Sequence, residues 1–558
     1  MKLIKHTLLA IPFLAASLQM DAVAGTQNSL GRGIPGAENW PLSSQEAKIL
    51  KLSASELARR IQARELRSEE VVRAFVGQIA RHNAKYNAIV LLDLNAALER
   101  ARAADDALAR GEFWGPLHGV PVTVKDTYAT RGLRTTAGDP DLKDYVPDED
   151  AVIVSLLRRA GAIVLGKTNA ATLAMDMQTN NEIFGTTNNP WDVKLTVGGS
   201  SGGCAAAVAS HMSALSFGSD LAGSIRLPAA YTGIWGLRPT HGVVSMQGHI
   251  PPKPGEVNGI RTMAVPGPLA NSVEDLQLAL SVLAQTSPQD TTVAPLKPRL
   301  SPRASLKDLK FAYMDELGGM PVSRETKESL QRVVEALRAA GATVVRAEPS
   351  DFSYQRTWET WGALVGMQGG YERSNLARWF GRLFAQKSVA DIAHQHRILD
   401  PISVEGYMRA LTEKDTQTNA LERFLSAYDG WIVPVASLPP FEHHAPSRKF
   451  GIFNVYDKPL QVDGRDLAYY NVTSPTPAFS VSLKAPWFQC LRVRPRMDCR
   501  WVCSWWVVAL KIGDCWMSPN WWSPCWQNCA LLMDLRIRHS QLEPSIRKSR
   551  VASNLLLL

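Results

Sequence analysis

Over its first 484 residues the chain has a single cysteine, Cys204. No pair of thiols exists there, so no disulfide can hold that stretch together. Past its N-terminus the chain also lacks any apolar run long enough to cross a bilayer. Its glycine-rich loops carry neither the P-loop pattern nor a dinucleotide G-x-G-x-x-G, which argues against a phosphate cradle. No fixed-period repeat occurs, excluding solenoids and propellers. No low-complexity linker divides residues 49–484, which favours one large domain over several. Excess basic charge is scarce as well, once its position is considered. The formal charge is +9, but residues 485–558 hold 10 Lys/Arg against 4 Asp/Glu, or +6, leaving +3 for residues 1–484. The pI of about 9.1 therefore reports the tail and is no nucleic-acid footprint.

What is present fits a globular protein: 558 residues, 45% of them hydrophobic, allow a large core. The N-terminus stands apart. Lys2 and Lys5 precede an apolar run from Leu8 to Leu18, then Ala22-Val23-Ala24. That order is the one of a secretory signal peptide, with cleavage expected after Ala24 and a periplasmic or secreted product. The apolar run is too short to serve comfortably as a membrane anchor, so no membrane association is expected after cleavage.

Residues 25–48 read as an irregular lead-in. Ser53-Ala54-Ser55-Glu56 forms a candidate capping box ahead of Leu57 and Ile61. A second helix is expected from Ser68 through Val72, Phe75 and Ile79. Residues 117–126, LHGVPVTVKD, are strand-like, with Lys125 near the end. Residues 151–169 read as helix, turn at Gly161 and strand, and strand, helix, strand recurs across 309–348. Alternating strands and helices predict an α/β architecture with helices covering a sheet.

Two loops are rich in small residues. The first is VGGSSGGCAAAVAS, residues 197–210. Gly199 to Gly203 fits the G-x-S-x-G of a nucleophile elbow, a short pattern that also needs a downstream His and acid, and nothing marks which His. A structural reading remains beside it: glycines for a tight turn, serines capping a helix. The second loop lies in GSDLAGSIRLPAAYTGIWGLRPTHGVVS, residues 218–245, with Ser224 placed 24 residues after Ser200.

These three blocks, Lys125-Asp126, GGSSGG and DLAGSIRLP, resemble the amidase signature family in order and spacing. GLRPTHG (236–242), TNNPWD (187–192) and GPLANSVEDL (267–276) extend the likeness across about residues 49–484. The resemblance implies one large domain over residues 25–484, with a mixed central sheet covered by helices on both faces. It implies an amidase that needs no metal or cofactor, acts on a small-molecule amide, and has a homodimer as its expected assembly. Position by position, it implies Ser224 as nucleophile, Ser200 as a bridging serine after a cis peptide bond, and Lys125 as the final base. The amides of Leu221, Ala222, Gly223 and Ser224 would form the oxyanion hole. Gly198, Gly199, Ser201, Asp220 and Arg226 would support the loops. Ala222 stands where the family has its first loop glycine.

The residue types suit that chemistry. A serine hydroxyl is a poor nucleophile without a base. A lysine is such a base only when neutral, so burial must lower its pKa from about 10.4. A bridging hydroxyl both donates and accepts, and can relay the proton in each direction. Each backbone donor aimed at the developing oxyanion is worth about 2.7–4 kcal/mol. Carbamate or ester hydrolysis would use the same machinery. Cys204 is expected to pack as a small buried residue. His211 and His241 are expected to be structural, as is the packing of Trp358, Trp361, Phe380 and Tyr407.

Residues 485–558 break the likeness. Residues 499–529 hold five cysteines and seven tryptophans. Cys499, Cys503, Cys525 and Cys529 are too irregularly spaced for a zinc site. The tryptophans lack the basic interleaving of a nucleic-acid platform. Read in a shifted frame, with each codon taking the third base of one residue and the first two of the next, the codons of 497–507 permit G-L-P-M-G-V-Q-L-V-G. Several of those positions are forced: Met497-Asp498 and Trp501-Val502 give glycine, and Trp505-Trp506 gives valine. The string matches the C-terminal motif of the family. The tail is therefore expected to be an out-of-frame version of the family's last strands and helix. Should the tail be genuine, an inactive product is the alternative.

Overall fold

The computed structural model describes residues 42–473, apart from 261, 294–304, 317, 370–373, 380–396 and 451–452, together with two short strands at 487–490 and 503–504. The expected signal peptide, Phe380 and most of the anomalous tail lie outside the described residues.

Capping chemistry sets the first helices. Helix α1 (Ser44–Ile49) starts at Ser43, which exchanges hydrogen bonds with Glu46 in a full capping box. Helix α2 (Ala54–Gln62) starts at Ser53, whose hydroxyl accepts the Glu56 amide at 3.1 Å. The reciprocal half expected there is missing, because Glu56 turns its carboxylate to Arg59 and Arg60. Helix α3 (Ser68–Tyr86) buries Val72, Phe75 and Ile79, the stripe its spacing predicts. Then come β1 (Ile89–Leu92), α4 (Leu94–Ala109), β2 (Pro121–Lys125), α5 (Val152–Arg159) and β3 (Ile163–Thr168).

The glycine-rich loop leads into α6 (Gly202–Ala209) and β4 (Leu215–Asp220). The second loop leads into α7 (Arg226–Thr232), followed by β5 (Trp235–Arg238), β6 (Val265–Ala270) and α8 (Val273–Leu283). The expected strand, helix and strand of 309–348 are β7 (Lys310–Tyr313), α9 (Arg324–Ala339) and β8 (Thr343–Arg346). Helices α10 (Tyr354–Gly369) and α11 (Val404–Leu425) precede β9 (Gly430–Pro434), and β10 (Trp487–Cys490) and β11 (Cys503–Ser504) complete the sheet.

Eleven strands form one sheet in the order β1-β3-β2-β4-β6-β5-β10-β11-β9-β7-β8. It is mixed: β3, β2 and β4 run parallel, as do β8, β7 and β9, while β4, β6 and β5 alternate in direction. Strand alternation sorts side chains onto two faces. Val122, Val124, Leu215 and Phe217 join the main core with Leu57, Phe75, Leu98, Leu157 and Leu280 from the helices. On the other face Leu269 packs with Cys204, Val208, Ile225 and Ala229 of the α6 and α7 region. Helices thus cover both faces of a single domain, as the resemblance implies. Trp361 and Tyr407 pack with Met263, Leu364 and Ala410 between α10 and α11.

Candidate active site

Lys125 is the last residue of β2 and is fully buried. Its neighbours Val122 and Val124 enter the main core, so alternation sends Thr123 and Lys125 to the opposite face. Thr123 there bonds Ser216 at 2.8 Å. Lys125 Nζ lies 2.7 Å from Ser200 Oγ and 3.1 Å from Ser219 Oγ. Burial lowers its pKa from 10.5 to about 7, so the amine is a usable base near neutrality.

Ser200 follows a cis peptide bond from Gly199. A Cβ at Gly199 would stand 2.8 Å from backbone atoms of Met177 and Gln178, so only glycine lets the chain pass there. Ser201 is the N-cap residue of α6, but its side chain makes no capping bond. The capping expectation for these serines is corrected accordingly. Ser201 Oγ is instead paired with the Ser219 backbone, donating to its carbonyl at 3.2 Å, and its amide donates to the Ser224 carbonyl at 3.1 Å. The two small-residue loops are therefore tied to each other beside Lys125. Gly198 precedes them in a left-handed conformation, φ 77°.

Asp220 ends β4 and organises the loop that carries Ser224. Its carboxylate accepts two bonds from Arg226, Nε and Nη2, each at 2.9 Å, and Arg238 Nε stands 3.6 Å away. It also accepts the amides of Gly223, Ile225 and Arg226 at 2.9, 3.2 and 3.3 Å. Burial opposes the charge, but the guanidiniums and amides win and hold the carboxyl far below its usual range. The Asp220–Arg226 pair is thus no surface ion pair: both residues are buried. Ser224 is buried as well, 6% exposed.

Of the four amides expected to face an oxyanion, that of Gly223 is taken by Asp220 and braces the loop. Gly223 has φ +118°, a conformation that favours glycine, whereas Ala222 is absent from the described positive-φ residues. Alanine therefore stands at the loop position that tolerates it.

Two groups escaped the sequence reading. Ser219 abuts a noticed aspartate, and only strand alternation could have aimed it at Lys125. His249 lies 30 residues further on, with Nε2 2.9 Å from Ser219 Oγ. No local pattern marks it. Cys204 is buried as expected, with Sγ 3.0 Å from Thr168 Oγ1, and burial raises its thiol pKa. His211 and His241 are exposed.

A second lysine sits behind the site. Lys167 of β3 is also fully buried. It donates to the Tyr128 carbonyl, to Thr130 Oγ1 at 3.1 Å and to Thr135 Oγ1 at 3.0 Å, with Asp126 Oδ1 at 4.0 Å. Among the described residues no cluster of three His, Cys, Asp or Glu side chains could hold a metal ion.

The family model described as Amidase matches residues 70–480. A glutamyl-tRNA(Gln) amidotransferase subunit from Cutibacterium acnes is 35% identical over 336 residues, 60% of this chain and 65% of that protein. Its counterpart from Alkaliphilus metalliredigens is 31% identical over 422 residues, 71% and 83% of the two chains. The matched region spans less than two thirds of the Cutibacterium acnes relative and 60% of the one from Acidothermus cellulolyticus. Among solved structures, fatty acid amide hydrolase superposes with a TM-score of 0.66 at 26% identity, covering 80% of this chain and 74% of that one. A bacterial aryl acylamidase gives 0.65 at 21%, covering 81% and 92%, a likeness of fold alone.

Proposed function

This chain belongs to the amidase signature family, hydrolases acting on C–N bonds, and from that premise we propose that it cleaves a small carboxylic amide through a seryl acyl-enzyme. The observation that carries the reading is the buried Lys125 Nζ, 2.7 Å from Ser200 Oγ, with its pKa brought down to about 7. Neutral Lys125 takes the proton of Ser200, and Ser200 takes that of Ser224. Ser224 Oγ then bonds the carbonyl carbon. Negative charge collects on the carbonyl oxygen, which the backbone of the loop carrying Ser224 is there to stabilise. Collapse breaks the C–N bond as Ser200 returns a proton to the leaving nitrogen, and Lys125 reprotonates Ser200. Water enters by the same relay, freeing the acid and restoring Ser224. Carbamates and esters fit the same steps. A panel of aryl, alkyl and peptide amides, run on the protein and on Ser224→Ala, tests the reading. Unchanged rates in both Ser224→Ala and Lys125→Ala would overturn it.

A second reading rests on the relatives' name: the chain would release ammonia for a transamidating assembly, as its 35%-identical relative belongs to an amidotransferase. The segment around Lys2, Lys5 and Leu8–Leu18 favours export and a free-standing enzyme instead. Sequencing the mature N-terminus decides between them: a start at Gly25 supports export, an intact Met1 the cytoplasmic assembly. Residues 485–558 belong to the same proposal as an out-of-frame tail. Resequencing the gene around codon 484 checks it, an extra base there supporting the idea and an unchanged sequence refuting it.

A further inference from the structure

The Lys125 relay works in one direction only if the amine turns its lone pair toward Ser200. A neutral amine has two protons and one lone pair, and its two hydroxyl neighbours, Ser200 and Ser219, can each donate or accept. If Ser219 donated its proton to Lys125, the lone pair would be occupied and the relay blocked. The atoms behind Ser219 decide the matter.

His249 Nε2 lies 2.9 Å from Ser219 Oγ, and its Nδ1 lies 3.3 Å from the Pro251 carbonyl. A carbonyl can only accept, so Nδ1 carries the hydrogen. Burial, and then the neighbouring Lys125, push the imidazole pKa down to about 3, so the ring is neutral and Nε2 is a bare acceptor. Ser219 can then donate to His249. Its oxygen is left to accept from Lys125 at 3.1 Å. Tyr128 stands edge-on to the His249 ring and interacts with Ser219. Its own O–H is committed to the Gly218 carbonyl at 2.6 Å, so it too offers Ser219 a lone pair and no proton.

We propose that His249 is a positioning residue: anchored by the Pro251 carbonyl, it draws the Ser219 proton away from Lys125 and so fixes the Lys125 lone pair on Ser200. This role rests on the amidase reading, yet part of its test does not. In the folded full-length protein labelled with ¹⁵N-histidine, the His249 signals, identified by their loss in His249→Gln, should show a neutral ring protonated at Nδ1 at pH 7. An Nε2-protonated ring or an imidazolium would overturn the proposal whether or not any amide is cleaved.

Kinetics supply the second arm. His249→Leu should lower kcat about tenfold, the scale of one hydrogen bond, with KM unchanged. His249→Gln, which keeps an acceptor, should recover most of that loss. In a Ser219→Ala background the His249→Leu effect should vanish, because the hydroxyl it orients is gone. A loss of equal size in both backgrounds, or none in either, would sink the idea, while thermal melts of each variant separate misfolding from mispositioning. Should the unaltered protein cleave no amide, the functional reading fails and the ring tautomer still decides this one.

Discussion

Lys125 and Lys167 stand on neighbouring strands, both fully buried, in pockets of different chemistry. The register pairs Lys125 with Thr168 and Lys167 with Val124, so the two side chains leave the sheet on opposite faces. Around Lys125 the nearest partners are hydroxyls, which accept or donate as needed. Around Lys167 they include a backbone carbonyl, and a carboxylate stands nearby; these only accept. Burial lowers the first to about 7 and the second to about 8. The difference that matters is the partners: a proton on Lys125 can be handed on, whereas Lys167 must keep its protons to satisfy what surrounds it. The same residue type suits proton transfer in one pocket and architecture in the other.

The most severe break should come from the relay. Ser224→Ala and Lys125→Met are each expected to lower kcat/KM by about 10²–10⁴-fold, the usual reach of general base and nucleophile. Lys125→Met should leave the urea midpoint unchanged or raised, because an apolar side chain replaces a poorly solvated amine. Lys167→Met should do the reverse. It strips the Tyr128 carbonyl and the Asp126 carboxylate of their cation and should cost about 3–5 kcal/mol in chemical denaturation. If both variants lose stability alike, the contrast fails.

The pH profile sharpens it further. Only neutral Lys125 can accept a proton, and its pKa is about 7, so activity rises with pH through that value. Below it, kcat/KM should fall about tenfold per pH unit. An inflection near the ordinary lysine value, about 10.4, would mean the pocket does not tune the amine. The charged or titratable neighbours in play are Asp220, Cys204 and His249, and none of them is expected to set that limb. The smallest effect belongs to Cys204→Ala, at about 1 kcal/mol of stability and an unchanged rate. A large rate loss would give the thiol a part that its protonated, buried state denies.

Much of the fold was legible. Helices α2 and α3, strand β2 and the β7-α9-β8 unit follow periodicity and capping, which are local. The half-formed cap at Ser53 was not, since Glu56 had arginines within reach on its own helix. Lys125, Ser200 and Ser224 stood out because the three blocks that hold them resemble the amidase signature family in order and spacing. Gly223 did not betray that its amide serves Asp220, because that depends on how the loop wraps a buried carboxylate.

By itself, then, the sequence determined the α/β class and the two small-residue loops, and its likeness to the family pointed to Lys125, Ser200 and Ser224, because such patterns are written locally. Only the tertiary structure decided which way the protons point. Ser219, His249 and the Pro251 carbonyl meet through a strand end and a distant loop, and Lys167 turns from its neighbour by a one-residue register shift in β3. Such relations depend on distances between segments far apart in the chain, and no window of sequence contains them.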